Sequence, residues 1–564
     1  MNYKEKLIKI LQKEIDLPET ELDRLIEIPS DSTLGDFALP CFAFAKTLRK
    51  APQMISQELQ SKLDVEPYFE KVEAVGPYLN FFISKASLLQ SLKEKVEIEK
   101  EEFGKSDIGQ NRNVVIDYSS TNIAKPFHIG HIRSTLIGNA IYRIANRLGY
   151  NAVGVNHLGD YGTQFGMLIA AYKKWGNKEE IEKNPIDEFL KLYVRMNKEI
   201  EEDPEKREEA HYWFKKLEEE DAEAQKIWKW MRDLSLCEFN KVYDRLKIKF
   251  DSYNGEAFYQ DKIGDVVKEL AEKNLLTESD GCEIIDLEKY NLTPLIITKS
   301  NGTSTYATRD IAAAEYRKKT YDFYKNIYVV ATEQNLHFKQ LFKTLELMGY
   351  EWAKDCVHVG FGMVSVEDGA LSTRKGKVLY LEDVLNKAEE KTLEIIKERN
   401  PELENKEEIA SKVGIGAIKF QELYNQRIKD YVFNWDKTLS FEGETGPYVQ
   451  YTYARANSVI EKSGITPKIS DLKEELMNEQ ELQLFKKIYQ IPDVIKDAFE
   501  KYEPYLISRK LMDVVKDFNR YYYNNQIISD DIELTKHRIG IAYLIKTVIK
   551  SQLSLLGIET VEKM

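Results

Sequence analysis

His128 and His131, two histidines three positions apart, are the side chains of this sequence whose spacing best suits the handling of phosphate groups. They follow the apolar residues 114–116, which predict a strand, and they open a segment from about 129 to 148 with apolar residues at helical spacing. In the first turn of a helix, both imidazoles would share one face beside unpaired backbone N–H groups and the positive end of the helix dipole. Gly130 between them lets the backbone approach a nucleotide closely. The pattern predicts an ATP-binding site.

A histidine pair of this spacing is more often a surface feature when nothing around it points to a ligand. Here the pair lies between a predicted strand and a predicted helix, and it uses two of only seven histidines in the chain. Its position therefore favours a function.

The composition is typical of a globular protein with several domains. The 564 residues are too many for one hydrophobic core, and 43% hydrophobic with 31% charged residues is an ordinary balance. We find no run of about eighteen apolar residues, and the N-terminus predicts an amphipathic helix rather than a signal peptide. We therefore expect no membrane association and a cytoplasmic location. The net charge of −13 argues mildly against general nucleic-acid binding but allows a local basic face.

The cysteines are scattered along the chain, with no CxxC pair and no histidine at zinc spacing. They predict reduced thiols in a cytoplasmic protein and no bound metal. The four positions are Cys41, Cys237, Cys282 and Cys356.

The patterning predicts three domains. We expect an N-terminal α+β domain over 1–108, a doubly wound parallel α/β domain over 109–385, and a helical bundle over 386–564. A highly charged, helix-patterned stretch at about 173–250 predicts a helical insertion in the α/β domain, and a strand-like stretch covers 72–83 of the first domain. The strands predicted for the parallel sheet are 113–116, 152–155, 283–287, 295–298, 327–330 and 357–361.

Residues 122–131, Asn-Ile-Ala-Lys-Pro-Phe-His-Ile-Gly-His, resemble the signature of class I aminoacyl-tRNA synthetases, and their flanks resemble the arginyl branch. The resemblance runs through the whole chain. It implies a Rossmann-like catalytic domain with a helical insertion, an N-terminal appended domain that holds the tRNA elbow, and an all-α anticodon-binding bundle. It also implies that L-arginine is activated by ATP to arginyl-adenylate and transferred to the 3′-terminal ribose of tRNA(Arg) for protein synthesis. We expect Mg²⁺ to accompany ATP, the first step to need bound tRNA, no other cofactor, and a monomer.

The resemblance implies a second phosphate-binding element at 371–377, Leu-Ser-Thr-Arg-Lys-Gly-Lys. This stretch resembles the family's Met-Ser-Lys loop, with Arg374 where the usual lysine would stand. Ser372 is implied to bind ATP, and Arg374 and Lys375 to assist catalysis. Lys125, a point charge just before the first histidine, is implied to compensate for the altered loop. The alternative is a basic surface loop.

Arginine presents five guanidinium donors, which carboxylates read best in paired hydrogen bonds. Tyr306 and Asp310 are four positions apart and would share one face at a helix start. The alternative explanation for Asp310 is structural: it is an acid near the N-terminus of a helix, where the helix dipole favours negative charge. Asp117 stands where the family usually has glutamate, so it either contacts arginine through water or orients Asn122. The residues that the resemblance assigns to arginine binding are Asp117, Ser120, Asn122, His131, Tyr306, Asp310 and Gln334.

The glycine-rich stretch 157–166, His-Leu-Gly-Asp-Tyr-Gly-Thr-Gln-Phe-Gly, follows a predicted strand and resembles a family segment near the site. It either lines the pocket or forms only a tight turn between strand and helix.

Residues 441–455 resemble the family's anticodon-domain signature. Tyr448, Tyr451 and Arg455 fall at i, i+3 and i+7 and would form one stripe of a helix, offering stacking surfaces and a planar cation to unpaired bases. The alternative is a tyrosine-rich core stripe. Weaker candidates for the same role are Phe518, Tyr522 and Met564.

In the first domain the resemblance assigns a D-loop base contact to Tyr78 and Asn80. The alternative is a half-buried strand with an exposed tyrosine.

Three other functions are disfavoured. A synthetase for another amino acid, such as cysteine or glutamate, would need a metal cluster or a cationic pocket, and the sequence has neither. A tRNA-binding relative without catalysis would not need Lys125, His128 and His131. A P-loop kinase would need the G-x-x-x-x-G-K-[ST] stretch, which we do not find.

Overall fold

The computed structural model describes residues 2–29, 31–300, 302–366 and 380–564. The chain folds into two compact units, each of which draws on separate stretches of sequence. One comprises residues up to Phe103 with Arg455–Ile491 and Asp513–Ile549, and the other comprises Gly104–Ala454 with Pro492–Met512 and Lys550–Met564. Residues 386–564, which the sequence predicts as one domain, thus contribute to both units.

The N-terminal part is α+β, as its sequence predicts. A three-stranded antiparallel sheet has the strand order β1-β3-β2. The strand-like stretch 72–83 is a hairpin rather than one strand, because the Gly76-Pro77 dipeptide turns the chain, with Gly76 at φ +57°. The elements are α1 Tyr3–Leu11, α2 Glu19–Leu25, β1 Phe37–Pro40, α3 Phe42–Leu48, α4 Pro52–Lys62, β2 Phe69–Val75, β3 Tyr78–Ile83 and α5 Lys85–Glu99.

The second unit is built on a four-stranded parallel sheet of order β10-β9-β4-β5. Its four strands match predicted ones to within two or three residues at their ends. Helices α8 to α11 confirm the helical character of the predicted insertion. The elements are β4 Asn113–Asp117, α6 Ile132–Arg147, β5 Asn151–Val155, α7 Thr163–Trp175, α8 Lys178–Lys183, α9 Pro185–Glu202, α10 Arg207–Glu218, α11 Ala222–Arg245, α12 Ile263–Glu272, β6 Thr277–Ser279, β7 Cys282–Ile285, β8 Leu295–Thr298, α13 Tyr306–Tyr321, β9 Lys325–Tyr328, α14 Asn335–Leu347, β10 Cys356–His358 and β11 Val364–Val366.

Two predicted strands of the parallel sheet were assigned wrongly. The segments 283–287 and 295–298 contribute β7 and β8 to a separate antiparallel sheet of order β6-β7-β8. The physical reason is one-sided burial: Ile297 is fully buried in the core while its neighbour Ile296 is 45% exposed. Strands of a parallel sheet between helices are buried on both faces, whereas an antiparallel sheet can leave one face to water.

The C-terminal part is helical with one short strand that the sequence does not predict. β12 pairs in parallel with β11 within the second unit, to which residues 386–454 belong. The elements are α15 Leu381–Arg399, α16 Lys406–Tyr424, β12 Tyr431–Phe433, α17 Trp435–Thr438, α18 Gly446–Ser463, α19 Glu479–Tyr489, α20 Ile491–Glu500, α21 Tyr505–Asn524 and α22 Ile532–Leu555.

Candidate active site

The histidine pair lies where the chain passes from the carboxyl end of β4 to α6. A short 3-10 turn, Ile129–His131, leads directly into the helix. The two imidazole centroids are 3.9 Å apart. The Nδ1 atom of His128 accepts the N–H of Gly130 at 3.1 Å, and the Nδ1 atom of His131 accepts the N–H of His128 at 3.3 Å. Each neutral ring therefore carries its proton on Nε2 and can donate it to a ligand.

Burial keeps both rings uncharged. It lowers the pKa of His128, and it lowers the pKa of His131 to about 3, with a further contribution from His128. The pair is suited to donating hydrogen bonds to phosphate oxygens rather than to supplying positive charge. Gly130 also makes room for the imidazole of His128, since a Cβ added at Gly130 would lie 2.8 Å from the Cε1 atom of His128.

Lys125 and Asn122 lie in the loop before the histidines. The Nζ atom of Lys125 is 5.7 Å from the ring centroid of Tyr193 on α9. Asn122 pairs with Gly159 in an isolated parallel bridge, and a Cβ at Gly159 would lie 2.2 Å from the Asn122 Oδ1 atom. The glycine-rich stretch 157–166 therefore packs directly against a residue predicted to bind arginine.

Asp117, at the end of β4, has both carboxylate oxygens engaged inside the protein. Its Oδ2 atom accepts Nη2 of Arg317 at 2.7 Å, and its Oδ1 atom accepts the hydroxyl of Ser120 at 2.7 Å. The side chains of Asp117 and Arg317 are 8% and 1% exposed. The structure thus links Asp117 to Ser120 and balances its charge internally.

The starts of α13 and α14 bring two predicted arginine ligands, Tyr306 and Asp310, to His337. The Nε2 atom of His337 lies 2.7 Å from Oδ2 of Asp310, and the ring of Tyr306 lies 4.9 Å from the ring of His337. Gln334 is exposed immediately before α14, three positions from His337. Burial alone would raise the pKa of the Asp310 carboxyl, but the hydrogen bond and positive charge of His337 lower it below its ordinary value. Asp310 is therefore an anion with its side chain 26% exposed.

Glu256 is a candidate ligand that the sequence reasoning missed. Burial, followed by the negative charges of Asp310 and Asp160, raises its pKa, while Arg309 and His157 oppose the shift. The Nη2 atom of Arg309 is 3.2 Å from its carboxylate. A second carboxylate thus acts on the same region as Asp310. The feature of the sequence that could have drawn attention to Glu256 is the preceding glycine, Gly255. A Cβ at Gly255 would lie 2.5 Å from Oδ1 of Asp160, so this segment packs against the glycine-rich stretch 157–166.

Comparison with known proteins decides the family. The sequence matches three family models: the Arginyl tRNA synthetase N terminal domain over residues 1–83, the catalytic domain of tRNA synthetases class I (R) over 94–435, and the DALR anticodon binding domain over 449–564. The chain belongs to the arginyl-tRNA synthetase family. It is 56% identical over 565 residues to an arginine–tRNA ligase of Halothermothrix orenii and 50% identical to one of Clostridioides difficile, with 100% of each chain covered. The crystal structure of arginyl-tRNA synthetase from Plasmodium falciparum superposes with a TM-score of 0.83 at 26% identity, covering 100% of this chain and 99% of that one.

One family element cannot be placed. The Met-Ser-Lys-like loop, with Ser372, Arg374 and Lys375, lies outside the described residues.

The N-terminal domain of this family member exposes an aromatic pair. Tyr78 is 39% exposed and Phe42 is 55% exposed, and their rings meet edge to face with centroids 5.9 Å apart. Asn80, two positions along β3 from Tyr78, is only 4% exposed. Its Cβ atom would lie 3.4 Å from a Cβ added at Gly35. Of the two predicted D-loop contacts, Tyr78 is the accessible one.

The predicted anticodon residues lie on α18. Tyr451 is 36% exposed and Tyr448 is half-buried. Arg455 donates to Asn519 at 2.6 Å, and its guanidinium carbon is 5.4 Å from the ring centroid of Tyr522.

Two weaker candidates have packing roles in this structure. Phe518 is fully buried, so the expectation that it stacks on a base is wrong. Met564 packs against the cluster of Val413, Phe441 and Val561. Tyr523, at 90% exposure, is an aromatic that the sequence reasoning missed.

No group of three His, Cys, Asp or Glu side chains that could hold a metal ion occurs in the part of the chain that the structure describes. Over the same residues, no helix has the length and apolar character required to cross a bilayer.

Proposed function

We propose that this chain is an arginine–tRNA ligase in which Asp310 and Glu256 bind the substrate guanidinium. In the first step an arginine carboxylate oxygen attacks the α-phosphorus of ATP, and the bond to the β-phosphate oxygen breaks to release pyrophosphate. In the second, a terminal ribose hydroxyl of tRNA attacks the adenylate carbonyl, AMP leaves, and the hydroxyl proton is released. The observation that carries this proposal is the ionised and partly exposed Asp310, whose Oδ2 atom lies 2.7 Å from Nε2 of His337.

The arrangement of charges supports arginine as the substrate. Asp117 is already balanced by Arg317, so it acts as a support for Ser120 and the neighbouring Asn122. Asp310 is ionised and its side chain is 26% exposed, and its Oδ2 atom lies 2.7 Å from Nε2 of His337. A neutral analogue such as citrulline would leave Asp310 without a substrate cation, although Glu256 would keep Arg309 at 3.2 Å. An unpaired acid is the kind of mismatch that a polar site rejects most strongly.

The remaining arginine contacts follow from position. Tyr306 lies one helical turn before Asp310, and its 57% exposure leaves its ring free to flank the substrate. Gln334 and Asn122 are proposed to bind the α-amino or α-carboxylate group, and His131 is proposed to contact arginine next to the phosphates.

We propose that the phosphates of ATP are bound by uncharged hydrogen-bond donors and one cation. The Nε2–H groups of His128 and His131 donate to phosphate oxygens, Gly130 permits their close packing, and Lys125 adds positive charge. Ser372, Arg374 and Lys375 are proposed to complete the phosphate site. Since the described residues offer no metal-ligand cluster, we infer that Mg²⁺ arrives on the triphosphate, which supplies the oxygen ligands this ion prefers.

tRNA is proposed to contact two separate surfaces. Tyr78, backed by Phe42, stacks on a base of the tRNA elbow, and Asn80, which is 4% exposed, is proposed to act by supporting β3. On α18, Tyr448 and Tyr451 stack on anticodon-loop bases, and Arg455 contacts the same loop. The C-terminal Met564 is proposed to support that surface.

We propose that the enzyme acts as a monomer. Sedimentation at micromolar concentration tests this. Four free cysteines accord with a reducing cytoplasm.

Replacing both signature histidines tests the function. His128→Ala with His131→Ala removes two donors to the phosphates, and loss of one such donor typically costs about 100-fold in kcat. Charging of tRNA with arginine should collapse while tRNA affinity changes little. The matched control is His211→Ala, an exposed histidine of α10, which should charge normally. Charging that survives in the double variant would contradict the mechanism.

A further inference from the structure

Arg133 is a fully buried arginine two residues after His131, in the first turn of α6. Its hydrogen-bond partners among the described residues lie in one distant stretch of chain. Its Nε atom donates to Oε1 of Glu422 on α16 at 2.8 Å. Its Nη1 and Nη2 atoms donate to the carbonyls of Lys429 and Arg427 at 2.9 and 3.2 Å. The guanidinium therefore connects the start of α6 to residues 422–429 through three directional bonds.

Glu422 continues the connection to a strand. Its side chain is 1% exposed, and its Oε2 atom accepts the hydroxyl of Tyr431 at 2.8 Å. Tyr431 is the first residue of β12 and pairs with Val364, the first residue of β11. Burial and the charge of Glu422 raise the pKa of Tyr431, so its hydroxyl keeps the proton that it donates.

The same stretch is also fixed to the chain just before β11. The N–H of Gly362 donates to the carbonyl of Arg427 at 2.9 Å, and Nη1 of Arg427 donates to the carbonyl of Gly360. A Cβ at Gly362 would lie 2.4 Å from Oδ1 of Asp430, so the two segments are in close contact. The partners of Arg133 are thus themselves held in place.

Stability alone does not explain why Arg133 and Glu422 are buried as an ion pair, because apolar residues of similar size often stabilise a core as well as an ion pair does. Directional bonds set an orientation that apolar packing leaves less defined. The element they orient is the turn that carries both imidazoles.

We propose that Arg133 is a positioning residue that fixes the His128–His131 turn against α16 and the β11–β12 pair. This inference rests on the proposed function of the histidines. It assigns Arg133 no contact with substrate. It predicts that the alignment of the imidazole donors with the phosphates depends on Arg133 and Glu422.

The test separates stability from alignment. The variants are Arg133→Met, Glu422→Met and the double variant, compared in melting temperature and in arginine-dependent ATP–pyrophosphate exchange with tRNA present. Each single variant leaves one buried charge unpaired and should melt well below the parent. The double variant should regain most of the melting temperature, while its kcat stays about 100-fold low, since a misplacement of about 1 Å costs that much. Its KM for arginine should change less than threefold.

Recovery of both melting temperature and kcat in the double variant would overturn the proposal and leave the pair a purely structural one. Tyr431→Phe provides an independent check, because it removes one hydrogen bond to Glu422 without stranding a charge. It should keep the parent melting temperature within about two degrees and lower kcat several-fold. An unchanged kcat would also overturn the proposal.

A matched control uses the Lys325–Asp355 ion pair of the same unit, at the amino ends of β9 and β10. Lys325→Met with Asp355→Met should leave kcat unchanged. The parent enzyme distinguishes the two levels of inference: if it performs no arginine-dependent exchange, the proposed function fails, whereas normal parent activity with a fully active double variant refutes only the role of Arg133.

Discussion

Asp310→Asn is the substitution that most directly probes the proposed arginine pocket. Asparagine keeps the shape and can still accept the hydrogen bond from His337, which lies 2.7 Å from the carboxylate. It removes the charge. Loss of the charge of a buried pair costs about 3–5 kcal/mol, and the 26% exposure of the Asp310 side chain places the expected loss at the low end, about 3 kcal/mol. That is about 150-fold in kcat/KM for arginine.

The assay is arginine-dependent ATP–pyrophosphate exchange with tRNA present, with the melting temperature as a check on folding. The KM for ATP should stay within about twofold, because the phosphates meet other residues. Asp322→Asn is the matched control: this acid ends the same helix, is 88% exposed and pairs with Lys318. A control variant with parent kinetics and an Asp310→Asn variant impaired less than about fivefold would refute the reasoning.

Specificity gives a second readout of the same pocket. The parent should discriminate strongly between arginine and citrulline, and Asp310→Asn should narrow that ratio by about tenfold or more. Glu256→Gln should narrow it as well, because the second carboxylate acts on the same cation. If Glu256→Gln leaves the ratio unchanged, Glu256 is not a guanidinium ligand.

Three further predictions concern other parts of the molecule. The pKa of His131 is about 3 in the folded protein and 6.5 ordinarily, so the unfolded chain binds the extra proton and the folded state loses stability as the pH drops below 6.5. At pH 5 this loss is about 2 kcal/mol, and His131→Gln should therefore show a smaller fall in melting temperature between pH 7 and pH 5 than the parent. An equal fall in the variant and the parent would refute this prediction. Gly138→Ala should destabilise the folded protein by about 3 kcal/mol, because the added Cβ would lie 2.2 Å from the Cβ atom of Tyr118. Gly264 has open space around it, so Gly264→Ala should stabilise the folded protein by about 0.5–1 kcal/mol in thermal melts. Phe42→Ala should raise the KM for tRNA about tenfold in charging assays, because Phe42 supports the ring of Tyr78, whereas Met54→Ala, similarly exposed on the same domain, should not. Equal effects of the two substitutions would exclude that role for Phe42.

Local patterns in the sequence were enough to predict the elements that carry the histidines. The apolar residues 114–116 predict β4, and the helical spacing after residue 129 predicts α6, because each pattern lies within one element. The order strand, histidine turn, helix then follows from chain connectivity. That is why the position of His128 and His131 could be predicted.

Pairings across long stretches of chain could not be predicted. Asp117 meets Arg317 two hundred positions later, and no local pattern distinguishes a carboxylate that awaits substrate from one already paired. Glu256 falls in a segment without helical or strand periodicity, so its ion pair with Arg309 appears only in three dimensions. The short apolar runs of β7 and β8 fit parallel and antiparallel sheets equally well by composition, and one-sided burial decides between them.

The most direct test of the central claim is ATP–pyrophosphate exchange measured with each of the twenty amino acids, with and without total tRNA. We predict exchange with arginine as the only amino acid, and only when tRNA is present. Exchange that favours another amino acid, or that runs at full speed on arginine without tRNA, would contradict it.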